Sequence, residues 1–123
     1  MKLKNLLTAR KVIFQHKDDR VPSCLAYKLM KFIKASDSDE AFYNEKLQRA
    51  IEDYSLKDEN GKKKIVNGNI AIEPAKIDEF NKTVEEIQNT DVDTPQIKFS
   101  IRELEPICLS VSEIYSLDEF IEE

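Results

Sequence analysis

Apolar residues recur every three or four positions through the first half of the chain. Leu3, Leu6, Leu7, Arg10, Ile13 and Phe14 fall on one side of a helix over about residues 4–17, with charges opposite. After the turn Asp18-Asp19-Arg20, Pro22 suits the first turn of a second helix, where its missing N–H has no intrahelical partner to lose. From there Leu25, Leu29, Phe32, Ser36, Asp39, Tyr43, Leu47, Ala50 and Tyr54 keep one phase to residue 54. This predicts one long helix. The polar step Ser36–Asp39 leaves two alternatives, a kink or a fresh start capped by Asp37 with Glu40 three residues on.

The stretch SLKDENGKKKIVNGN, residues 55–69, holds both glycines of the chain, each straight after an asparagine. A calcium loop with Gly61 at its sixth position would place Leu56 at position 1 and Asn67 at position 12, losing two key ligands. The lysines carry no G-K-S/T motif, so the stretch is no phosphate loop either. Asn67-Gly68 is instead a favoured pair for a tight hairpin turn, because both residue types accept positive φ. Folding about it predicts Ile65 opposite Ile70, Val66 opposite Asn69 and Lys63 opposite Ile72, with the three isoleucines on one face. Asn60-Gly61 ends the preceding helix, and Lys62, Lys63 and Lys64 form a solvated strand edge.

Beyond the hairpin, Pro74 marks a helix over about 74–89 with the stripe Ile77, Phe80, Val84 and Ile87. TDVDTP ends it. QIKFSIR alternates, placing Ile97, Phe99 and Ile101 on one face of a strand that would join the hairpin in a three-stranded sheet. Ser110 or Ser112 caps a terminal helix with Ile114, Leu117 and Ile121 inward and Phe120 flanking. The expected fold is α+β and mostly helical. It comprises an N-terminal helix, a long helix with or without a kink, a β-hairpin, a helix, a strand and a short C-terminal helix, in a single domain of residues 1–123.

Composition is that of a globular chain, 41% hydrophobic and 35% charged over 123 residues, a length that needs no disulfide or metal staple. No apolar run approaches membrane-spanning length. The opening MKLKNLLTARK has no signal-peptide core, so the expected compartment is the cytoplasm. Cys24 and Cys108 are expected to be reduced core thiols. The net charge of −5 hides an asymmetry: residues 1–34 hold nine Lys/Arg and two Asp/Glu, whereas residues 73–123 hold four and fourteen. Overall acidity disfavours non-specific nucleic-acid binding. Lys28, Lys31 and Lys34 form a basic helical face suited to solvent or an acidic partner.

Several pieces in order, LQRAIEDYSLKDENG, IVNGNIAIEP, KIDEFNKTVEEIQNTDV, IKFSIRELE and SLDEFIEE, resemble a family of short uncharacterised proteins from tailed bacteriophages and prophages of Gram-positive bacteria. The resemblance covers most of residues 40–123 and is fainter over 1–39. It implies a phage or prophage origin and an unbroken long helix. It brings no activity and no functional residue with it.

No catalytic, cofactor or metal constellation is legible. His16, the only histidine, sits beside Lys17, Asp18 and Asp19 and reads as a solvated helix end. Asp91 and Asp93 flank Val92 and read as an acidic loop. Tyr27, Tyr43, Tyr54 and Tyr115 hold helical positions expected to pack. The apolar seam Leu25, Leu29, Phe32, Tyr43, Leu47 and Tyr54 has few other helices to cover it, which points to a non-catalytic protein that pairs with itself or binds another phage or host protein. The alternative is an acidic inhibitor of a host nuclease, polymerase or defence protein, presenting carboxylates where phosphates would lie. An enzyme is the third reading, and no residue pattern supports it.

Overall fold

The computed structural model describes residues 1–66 and 68–122. In chain order its helices are α1 (Leu3–Gln15), α2 (Ser23–Tyr54), α3 (Ile77–Gln88), α4 (Ile101–Leu104) and α5 (Val111–Ser116). Its strands are β1 (Ile65–Val66), β2 (Asn69–Ile70), β3 (Phe99–Ser100) and β4 (Ile121–Glu122). The fold is mostly helical α+β. The chain groups into two compact units, Met1–Glu40 with Asp91–Glu123, and Ala41–Thr90. Helix α2 contributes to both.

The first unit owns a closed apolar core. Leu6, Ala9 and Ile13 of α1 meet Leu25, Leu29 and Phe32 of α2, together with Phe99, Leu104, Ile107, Leu117 and Phe120 from the C-terminal segment. Phe32 and Phe120 pack edge to face, ring centres 4.7 Å apart, the geometry that the aromatic quadrupole favours. Phe120 is thus central to the core rather than flanking it. It sits in a 3₁₀ turn, Asp118–Phe120, that follows α5 and leads into β4.

Helix α2 is unbroken, and Arg10 explains why its polar step is tolerated. Arg10 lies on the buried side of α1 and uses all five guanidinium donors on α2. Its Nε bonds Glu40 at 2.8 Å, and Nη1 bonds the Ile33 carbonyl at 2.7 Å and Ser36 Oγ at 2.9 Å. Its Nη2 pairs with Asp37 at 2.8 Å and Glu40 at 2.6 Å. Asp37 and Glu40 therefore grip a cation instead of capping a new helix. Ser36, fully buried, donates backward to the Phe32 carbonyl at 2.9 Å, so its hydroxyl is satisfied inside the helix.

In the second unit, β1 and β2 pair antiparallel with Ile65 opposite Ile70 and Val66 opposite Asn69, the predicted register. Of the turn pair, Asn67 lies outside the described residues. Gly68 has φ 81°, which an L side chain adopts only with strain. Lys63 does not face Ile72. The chain leaving α2 slots alongside the hairpin instead: Leu56 N–H donates to the Ala71 carbonyl and Lys64 N–H to the Leu56 carbonyl, both at 2.8 Å. Lys63 consequently bridges Lys57, and Ile72 bridges Ser55. Asp58 Oδ1 accepts from the backbone N–H of Asn60 and of Lys62, each at 2.9 Å. That carboxylate shapes its own turn.

The expected strand over 96–102 is shorter and pairs elsewhere. Only Phe99–Ser100 pairs as a strand, parallel to β4 with Phe99 opposite Ile121, and the hairpin stays a separate two-stranded sheet. Ser100 ends the strand because its hydroxyl accepts the Glu103 N–H at 3.1 Å and caps α4. Ile101 becomes helical and half-exposed. Further on, Ser110 and Glu113 form a reciprocal capping box on α5.

The Arg10 network predicts an asymmetry. Asp37→Asn with Glu40→Gln strands a buried cation and should cost about 3 kcal/mol, the lower end of the range for breaking a buried pair, because these carboxylates are partly hydrated. Arg10→Met should cost less, since the freed carboxylates return to water. Urea unfolding of both variants checks this, and an equal or larger loss for Arg10→Met would refute the network's role.

Candidate interaction surface

The six residues of the predicted seam divide between the units. Leu25, Leu29 and Phe32 are buried in the first unit's own core. Tyr43, Leu47 and Tyr54, in the second unit, remain half-exposed. Across residues 41–66 and 68–90 only Ala50 and Ser55 are buried. The α3 stripe Phe80, Val84 and Ile87 is half-covered, and Ile77 is exposed. Tyr54 and Phe80 meet edge to face at 6.2 Å, with the Tyr54 hydroxyl 3.4 Å from Thr83 Oγ1. One helix segment, one helix and a short hairpin form too little structure to enclose a second layer, so the apolar side chains touch without being sealed.

The exposed apolar residues extend beyond those the periodicity singles out. Phe42 is 39% exposed, Ile65 66%, Val66 47% and Ile77 42%. Adjacent Ile65 and Val66 point to opposite faces of a strand, so a two-stranded hairpin must expose at least one of them. The adjacency of Ile65 and Val66 carries that signal in the sequence, whereas the shared face of Ile65, Ile70 and Ile72 does not show whether anything covers it.

Polar positions also need correction. His16 is not a solvated helix end. Its Nδ1 lies 2.8 Å from Asp19 and its Nε2 2.5 Å from Glu113, with the ring largely buried. Two carboxylates on two ring nitrogens suit the doubly protonated imidazolium. Partial burial alone would lower the His16 pKa, but the bonds to Glu113 and Asp19 and their charges outweigh it, and the net shift is upward. The bond from His16, followed by that from the Ser110 N–H, holds Glu113 below the usual carboxylate range. Helix α1 is thereby pinned to α5.

Cys24 and Cys108 are free thiols but exposed, not core. Cys24 sits in the first turn of α2 beside, not on, the Leu25 face, and Cys108 ends a 3₁₀ turn in a left-handed conformation, φ 56°. Tyr27 and Tyr115 are largely exposed, on the sides of their helices away from the core. Lys28, from the basic face, bonds Glu103 at 2.8 Å and the Lys98 carbonyl at 2.9 Å. That part of the face is committed within the first unit.

Asp39, Asp91 and Asp93 line a recess of about 430 Å³ with Ser38 and Thr94. Partial burial, then the charge of Asp93, raises the Asp39 pKa. Among the described residues no three His, Cys, Asp or Glu side chains converge as metal ligands would, and no helix is long and apolar enough to cross a membrane.

No protein-family model, curated protein or solved structure matches this chain. Its geometry and chemistry are what bear on its role.

The His16 clamp sets a pH dependence. A raised histidine pKa stabilises the fold fully below the unfolded-state value, and that contribution is lost as pH rises through the folded value. The depressed Glu113 contributes above its unfolded value and fails as pH falls through its folded one. Urea stability should therefore fall as pH rises above the ordinary histidine value of about 6.5, and less so in Glu113→Gln, which keeps the capping box but removes the charge. The imidazole resonance of the sole histidine should titrate above the ordinary value in the parent and shift down in the variant. An unshifted titration in the parent would refute the clamp.

Proposed function

We propose that this chain is a non-catalytic protein-interaction protein of phage or prophage origin that acts in the host cytoplasm and associates with a second copy of itself. One observation carries the reading. Residues 41–90 form a compact unit whose only buried hydrophobic residue, among those described, is Ala50, while the first unit seals a full core. A segment of this size is marginal even with a closed core, and this one lacks a closed core. Exposed apolar surface of this kind marks interaction sites. Self-association supplies the missing layer with the partner that is always at hand.

The resemblance to phage and prophage proteins supports the origin. The acidic-inhibitor alternative draws less from the structure, because Glu103 and Glu113, two of the C-terminal carboxylates, already bond Lys28 and His16.

Sedimentation velocity over a concentration series tests the proposal. The expected result is a reversible dimer or higher species forming by about 10 μM, the affinity of a modest but specific interface. Leu47→Asp should move the equilibrium toward monomer. A strict monomer throughout the series would contradict the proposal.

A further inference from the structure

The second unit carries two exposed apolar points with oppositely charged surroundings. On the hairpin, exposed Val66 follows exposed Lys62 and Lys64 at the two-residue spacing that places them on one strand face, with Ile65 on the other. Lys63 already reaches Glu52 at 3.2 Å, whereas no described carboxylate lies within ion-pair distance of Lys62 or Lys64. On α3, exposed Ile77 is followed by exposed Asp78 and Glu79, and no described cation pairs with either. Lys76, nearest in sequence, is held by Glu73 at 3.4 Å.

We propose that two copies pair about a two-fold axis, the β1–β2 hairpin of each seated on the first turns of α3 of the other. This rests on the self-association reading and names its contact. The charges select it. Hairpin against hairpin would bring lysines together, and α3 against α3 would bring carboxylates together, each costly at close approach. Hairpin against α3 joins apolar to apolar inside a rim of opposite charge. Because one chain carries both patches, two-fold symmetry makes the contact twice and closes the assembly at two copies.

Full-length charge-reversal variants test it. Lys62→Glu/Lys64→Glu reverses the hairpin, and Asp78→Lys/Glu79→Lys reverses the helix. Circular dichroism verifies that each stays folded. Each variant alone should dimerise at least about tenfold more weakly than the parent, and an equimolar mixture should recover the dimer, since both contacts are again opposite in sign. Raising salt from about 0.05 to about 0.5 M should weaken the parent dimer. If the parent dimerises but the variants dimerise equally well, or their mixture fails to recover, the hairpin-to-α3 contact is wrong while self-association stands. A monomeric parent removes both.

Discussion

Phe32, Phe99 and Phe120 are fully buried, and the apolar core of the first unit is arranged around them. They come from the first third of the long helix, the β3 strand and the 3₁₀ turn before β4, so the core forms only when distant segments of the chain meet. The two-residue β3–β4 ladder is too short to hold by its own hydrogen bonds. It persists because Phe99 and Phe120 anchor its two strands in that core. Burying large aromatic side chains is the dominant favourable term here, and the polar network of Arg10 and the His16 clamp fix which surfaces meet.

Residues 41–90 lack such a centre. Their apolar side chains are numerous, yet they lie along one helix segment, one helix and a hairpin, and the Tyr54–Phe80 pair is their one close aromatic contact among the described residues. This contrast within one chain motivates the proposed association. A unit that closes its own core needs no partner, and a unit that cannot close one is stabilised by whatever covers it.

Much of the fold was legible in the sequence. The helical phase from Leu25 to Tyr54 gave α2 its extent, and the hairpin register followed from a single Asn-Gly pair. The features that periodicity does not carry are polar and non-local. Arg10 sat visibly on an apolar face, but its partners at positions 33–40 become neighbours only after α1 packs on α2. His16 meets Glu113 across 97 positions. The strand over 96–102 was overextended because the alternation of Ile97, Phe99 and Ile101 outweighed a local signal, Ser100 with Glu103 three residues on, which caps a helix. The unbroken helical phase presents the seam as one surface. The fold spends its first half inside and leaves its second half open, a division that periodicity alone does not show.

The uneven burial makes a direct prediction for backbone opening. Amide hydrogen exchange read by mass spectrometry, at protein concentrations well below and well above the onset of association, reports the two units separately. The account predicts protection within residues 41–90 that rises with concentration, while protection in α1, the start of α2 and the C-terminal segment stays constant. Protection in residues 41–90 that is strong and independent of concentration would contradict it, for that unit would then be stable without a partner.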